Sequence, residues 1–279
     1  MWNLEPCFSV NICMKLLCSV ILFVLVTHLQ AQQGGPVLVN SGVGALEMKI
    51  SGSGGPAVVF ESGFSGTYEY WNAVVAAISG KTTTVRYNRA GFGHSPLNDK
   101  PRTAEEIAKE LHTALSNAKV SPPYILVGHS AGGMYVREFA YLFPNDVAGI
   151  VLVDPAPETF YGMMAQDPVF WKSVMEELKQ EQPGALAQMN VNAATVKELK
   201  AAWPLPHVPV VLISATKIQP PTFTEERRKE MTSLQTALVQ QIPGAQHIVA
   251  TGCGHNIPGE CPTVVTNAVL TMITDLANK

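Results

Sequence analysis

Charge is scarce in this sequence and nowhere concentrated. Asp, Glu, Lys and Arg make up 15% of the 279 residues, the formal net charge is −3, and no Lys/Arg cluster forms a stripe. That leaves no electrostatic footprint for a nucleic acid. Repeats and low-complexity tracts are absent too, and a hydrophobic share of 47% is too high for a disordered chain. There is no His-x-Glu-type ligand cluster and no phosphate loop, so no metal and no cofactor is expected. Nothing in the sequence specifies an oligomer. The apolar run at 16–26 is shorter than the ~20 residues a helix needs to span a bilayer. What is left is a chain long enough for one large domain with a sizeable core.

The first residues differ from the rest. Met14-Lys15 precedes "LLCSVILFVLVTHLQA", an apolar run closed by small and polar residues. A positive start, an apolar stretch and a small residue at Ala31 form the pattern of a secretory leader. Residues 1–31 are therefore expected to be removed, giving a secreted or periplasmic protein with no stable membrane span. Retention of the leader as an anchor is the alternative. Cysteine is sparse as well. Cys7, Cys13 and Cys18 fall in the leader, which leaves Cys253 and Cys261. Two cysteines eight positions apart in an exported protein invite a disulfide, and two free thiols are the other reading.

Beyond the leader, short β-branched runs alternate with helical patterns. "PAVVFES" (56–62), "KTTTVRYN" (81–88), "PYILVGH" (123–129), "AGIVLVD" (148–154), "VPVVLIS" (208–214) and "QHIVATG" (246–252) read as strands, with a weaker one at 45–50. Several are apolar almost throughout, as strands covered on both faces are. The clearest helix is 103–118, where Thr103 and Glu106 form a capping box and Ile107, Leu111 and Leu115 share a face. Others are expected near 70–79, 132–142, 224–241 and 262–277. The alternation predicts a mostly parallel sheet with helices on both faces. The interval 155–206 has no convincing strand but several Met and aromatic residues, and reads as an insertion over the sheet. "GPVLVNSGVG" (35–44) reads as a flexible lead-in.

"VGHSAGG" (127–133) sits between a strand and a helix. A serine on such a sharp turn is lifted above the sheet edge, and Gly128 and Gly132 supply the small flanks the turn requires. Together with "FESGFSGT", "YNRAGFGHS" and "GCGHNIP" in this order, it makes the chain over 45–279 resemble the α/β-hydrolase family, in its esterase-like branch with a cap inserted after the sixth strand. The resemblance implies an α/β-hydrolase fold with a helical cap at about 155–206. It also implies a serine hydrolase acting on a small-molecule ester or similar acyl substrate, with Ser130 as nucleophile.

The same resemblance places the general base in a loop after the last strand, where His255 stands, with His247 the weaker alternative. His94 reads as a turn residue, His112 as a surface residue and His207 as structural. His129, beside Ser130, cannot fold back to serve it. Relatives usually carry the acid just after the seventh strand. Here "ATKIQPPTFT" offers none before Glu225, so Asp154, at the end of the sixth strand, is the expected acid. A turn-capping Asp154 is the structural alternative, and Glu158 and Glu225 are the other acids. The N–H groups of Ala131 and Phe64, or Ser65 in place of Phe64, are expected to form an oxyanion hole. Tyr68, Trp71, Phe160 and Met163 are expected to line an apolar substrate pocket, or else to pack the cap onto the sheet. C–C bond hydrolysis, acyl transfer and a catalytically inactive binding module are the alternative functions.

Overall fold

In the computed structural model of the protein, residues 35–159, 172, 175–176, 183–201 and 204–278 are described. The expected leader, Phe160 and Met163 lie outside them. Among the described residues, eight strands form one sheet in the order β1-β2-β4-β3-β5-β6-β7-β8. They are β1 (Val37–Asn40), β2 (Ala45–Ser51), β3 (Ala57–Glu61), β4 (Thr84–Asn88), β5 (Tyr124–His129), β6 (Val147–Val153), β7 (Val210–Ala215) and β8 (Gln246–Ala250). β1 and β2, and β2 and β4, run antiparallel, and all other neighbours are parallel.

The apolar strands bury both faces, as side chains alternate across a sheet. Val59, Leu126, Ile150 and Leu212 face a cluster completed by Ala108 and Leu111 of helix α2 (Ala104–Asn117) and Val136 and Phe139 of α3 (Gly132–Leu142). Val58, Phe60, Val127, Val151 and Ile213 face the opposite cluster. There Val74, Val75 and Ile78 of α1 (Asn72–Ile78) meet Val265 and Val269 of α7 (Pro262–Ala277). Each such fully buried side chain contributes roughly 1.5–3 kcal/mol. The expected box at Thr103 caps α2, where its side chain accepts from Glu106 N.

One expectation is corrected. Residues 35–44 are not a loose lead-in: β1 pairs with β2 through a tight turn in which Ser41 N donates to Gly44 O (2.9 Å) and Gly42 has φ +87°. The Asn, Ser and Gly content that read as flexibility is the chemistry of that hairpin turn. The helix near 70–79 begins as a 3₁₀ turn, Tyr68–Trp71, before α1. In the interval 155–206 the described residues hold two helices, α4 (Pro183–Asn190) and α5 (Asn192–Ala201). They dock on the helices over the first cluster: Thr195 and Glu198 accept from the N–H groups of Ala104 and Glu105, and Tyr135 Oη donates to Gln188 Oε1. No helix among the described residues is long and apolar enough to cross a membrane.

Candidate active site

β5 ends at His129, and α3 starts two residues after Ser130. The turn between them forces Ser130 into the left-handed region at φ 52°, a conformation that costs a non-glycine residue of order 1–3 kcal/mol. Backbone hydrogen bonds hold it there. Ser130 N donates to Val153 O (3.0 Å), and Ser130 O accepts from Gly133 N (3.0 Å) and Ala156 N (3.1 Å). The turn has no space for side chains at its flanks. A Cβ on Gly128 would lie 2.6 Å from Gly132 O, and one on Gly132 would lie 2.5 Å from Glu61 O. Ala131 is the N-cap of α3, so its N–H is among the first-turn amides that have no partner inside the helix.

β6 ends beside β5, and the next residue, Asp154, also has a positive φ, 41°. Its side chain is fully buried and accepts from four nitrogens in five contacts. Oδ2 lies 2.6 Å from His255 Nδ1 and 2.9 Å from Arg228 Nη1. Oδ1 lies 3.1 Å from Arg228 Nη1, 3.0 Å from Gln235 Nε2 and 3.1 Å from Ala215 N. Burial alone would raise the carboxyl pKa. The hydrogen bond from His255, the charges of His255 and Arg228, and the Gln235 amide outweigh it and hold the group well below the usual carboxylate range.

His255 follows β8. A carboxylate can only accept, so Nδ1 donates to Asp154, which leaves Nε2 to face Ser130 Oγ at 2.9 Å. The rest of the loop is fastened from several sides. His255 N donates to Gln219 Oε1 (2.9 Å), and Gly254 N donates to Glu260 Oε2 (3.2 Å). The sulfurs of Cys253 and Cys261 are 2.01 Å apart, a disulfide that closes the segment carrying His255.

His129 is buried and lies against this loop, its Nε2 donating to the His255 carbonyl (2.8 Å). Burial and the neighbouring His255 push its pKa down to about 3, so it stays neutral. Its Nδ1 is directed at Gly63, where a Cβ would come within 2.9 Å.

Gly63 belongs to the segment after β3, which lies across the turn from Ser130. Arg89 clamps it: Nη1 donates to Ser62 O and Nη2 to Gly63 O, both at 2.7 Å, while Glu61 neutralises the guanidinium at 2.5 Å. Phe64 follows, packed against the cluster of Phe92 and Ala185 of α4, and Ser65 has φ 41°. The expected lining role of Tyr68 and Trp71 is corrected here. Trp71 is fully buried, packs on Phe60 (4.9 Å) and donates from Nε1 to Ser62 Oγ (3.1 Å). Tyr68 is buried beneath the Arg86 guanidinium. The 3₁₀ turn rotates both into the core, where Trp71 braces the segment through Ser62.

The structure thus brings Ser130, His255, Asp154, Ala131 and the Gly63-Phe64 segment to one edge of the sheet. The other histidines and carboxylates weighed as base or acid are elsewhere. His94 pairs with Glu47 (2.8 Å), His112 with Asp146 (2.8 Å), His247 with Ser214 Oγ (2.7 Å) and Glu158 with Arg137 (2.6 Å). His207 is exposed, and Glu225 lies in the first turn of helix α6 (Glu225–Gln241). Sequence reasoning missed Arg89, Gln219, Arg228 and Gln235. Arg89 had a signal, as a charge directly after the strand β4. Arg228 and Gln235 had none, since they are two among many charged and polar residues of α6. Among the described residues no group of three or more His, Cys, Asp or Glu could hold a metal ion.

Comparison with known proteins agrees with this architecture. A family model described as "alpha/beta hydrolase fold" matches residues 56–207. The uncharacterized protein YqjL of Bacillus subtilis is 28% identical over 222 residues, covering 78% of this chain and 83% of that protein. Among solved structures, an enol-lactonase from Burkholderia xenovorans superposes with a TM-score of 0.64 at 20% identity, over 86% of this chain and all of the other. A thermophilic esterase from Thermogutta terrifontis gives 0.60 at 19%, over 87% and 99%. At such identities the likeness to the solved structures concerns the fold.

Proposed function

Because this chain belongs to the α/β-hydrolase fold family, we propose that it is a serine hydrolase that cleaves carboxylic ester or similar acyl bonds. The observation that carries this reading is the unbroken hydrogen-bonded series from Asp154 Oδ2 through His255 to Ser130 Oγ, with steps of 2.6 and 2.9 Å. In the proposed cycle, His255 Nε2 takes the Ser130 proton as Oγ attacks the acyl carbon. Asp154 keeps the imidazole in the tautomer that can accept and stabilises the imidazolium that forms. The oxyanion is received by the N–H groups of Ala131 and Phe64, each worth about 10²–10³ in rate. His255 returns the proton to the leaving group, and water, deprotonated by the same imidazole, releases the acyl group from Ser130. The clamp of Arg89 on the Ser62 and Gly63 carbonyls supports this reading, since oxyanion donors act through preorganisation. The Met and aromatic content of 155–206, with Phe160 and Met163, supports an apolar acyl pocket.

Fluorophosphonate labelling tests the nucleophile. Wild-type protein labels at Ser130, and Ser130→Ala does not. A labelled Ser130→Ala variant, or an unreactive wild type, overturns the proposal. Nitrophenyl esters of rising chain length then measure the acyl preference.

Export of the protein is part of the same proposal. Removal of 1–31 in an oxidising compartment fits a bridge between Cys253 and Cys261. N-terminal sequencing of secreted or periplasmic material should begin near residue 32, and a retained leader would sink it.

A further inference from the structure

Asp154 faces more than His255. Arg228 Nη1 lies 2.9 Å from Oδ2, the same oxygen that receives His255 Nδ1, and 3.1 Å from Oδ1. Arg228 is only 4% exposed. Its Nε and Nη2 make no hydrogen bond among the described residues, so its hydrogen bonds run through Nη1, to Asp154 and to Met231 Sδ. Phe223 completes the arrangement, with its ring 4.4 Å from the guanidinium carbon and 4.4 Å from the His255 ring. A triad needs only a carboxylate behind its histidine. Here a permanent cation, which must be desolvated to sit there, is directed at that carboxylate.

We propose that Arg228 is a positioning residue that fixes the Asp154 carboxylate and, by opposing the imidazolium, extends the action of His255 to lower pH. This rests on the reading of Ser130, Asp154 and His255 as a hydrolytic triad. The carboxylate favours a protonated His255, and a guanidinium on the same oxygen withdraws part of that preference.

The other groups around the imidazole do not replace it. From the end of β5 come Ser130 and His129, the latter neutral and 4.7 Å ring to ring. Behind His129 lies Tyr70, from the 3₁₀ turn. From the segment before α6 comes uncharged Phe223. From the loop of His255 comes Glu260, which also favours the imidazolium but is paired with exposed Lys217 at 3.2 Å. Arg228 is therefore the buried cation that counts.

The test is the rate of fluorophosphonate labelling of Ser130 against pH. Removing the charge with Arg228→Gln should move the acidic limb of the profile upward by about one pH unit. Arg228→Lys, which keeps the charge, should hold the limb within a few tenths of a unit of wild type. Gln235→Leu, which removes a neutral hydrogen bond from Asp154, should slow labelling without moving the limb. Circular dichroism checks folding. If Arg228→Gln does not fold, Arg228→Met, which keeps the stem against Phe223, takes its place with the same expected shift. An unmoved limb with a uniformly lower rate, or an equal shift in Arg228→Lys, overturns the inference and leaves Arg228 a packing residue. Failure of the wild type to label overturns the triad reading instead, so the two failures are distinguishable.

Discussion

Gly132 shows how little a single residue can change at this turn. Its missing Cβ is the space occupied by Glu61 O and Ser62 O, at 2.5 and 2.7 Å. These are backbone atoms of the segment proposed to carry the oxyanion donor, so they cannot rotate away. Gly132→Ala should destabilise the protein by about 1–3 kcal/mol, the range for overpacking. It should also slow fluorophosphonate labelling by at least tenfold, which chemical denaturation and labelling rates would measure; an equally stable and reactive variant would show that the turn can open.

Asp154 is coupled to its partners differently. Asp154→Asn leaves the buried guanidinium of Arg228 without its charge partner, a loss of about 3–5 kcal/mol, and removes the hold on the imidazole tautomer, about 10⁴ in kcat. The pH dependence has a definite sign. The folded carboxyl is held below its unfolded value, so its contribution is fully present above that value, about 3.9, and is lost as pH falls through the folded one. The stability gap between wild type and Asp154→Asn should narrow as pH falls below about 4. Urea midpoints against pH measure it.

Two elements carry consequences of their own. The loop from Cys253 to Cys261 holds His255 and is closed by a bridge eight residues in span. Cys253→Ser with Cys261→Ser should lower stability by about 2 kcal/mol on loop-closure entropy. Intact mass should rise by two hydrogens on reduction of the wild type, and an unchanged mass would mean that no bridge forms.

Helix α3 carries Glu138, only 3% exposed, under α2 and α5. Burial raises its pKa to about 7, and Glu198 and Glu105 push the same way. The folded state thus keeps a proton that the unfolded chain has released. Stability therefore falls as pH rises from the reference value, about 4.3, towards 7. Glu138→Gln should gain on the order of 2 kcal/mol at pH 8 and nothing at pH 4, read from thermal midpoints. These elements also mark the limit of local patterns. α2 was legible in its capping box and apolar stripe. β1 was not, because an exposed edge strand has too little apolar periodicity to be distinguished from the turn that follows it.

Over the whole molecule, the proposed catalytic groups come from the C-terminal ends of β3, β5, β6 and β8, four strands that are distant in sequence and gathered by one parallel sheet. That edge is where a parallel sheet places its loops, and where α/β folds put their sites. The sequence by itself determined the strand–helix alternation, the two-faced burial of the inner strands and the order Ser130, Asp154, His255, because each depends on local periodicity, turn chemistry or chain order. Only the tertiary structure decided that Asp154 sits 2.6 Å from His255 although the place after β7 is empty. It alone turned Tyr68 and Trp71 inward, and it alone set Arg89 on the Gly63 segment and Arg228 and Gln235 on Asp154. The physical reason is range. A buried charge is tolerated only where partners from other elements meet it, and no periodicity along the chain records which elements those are.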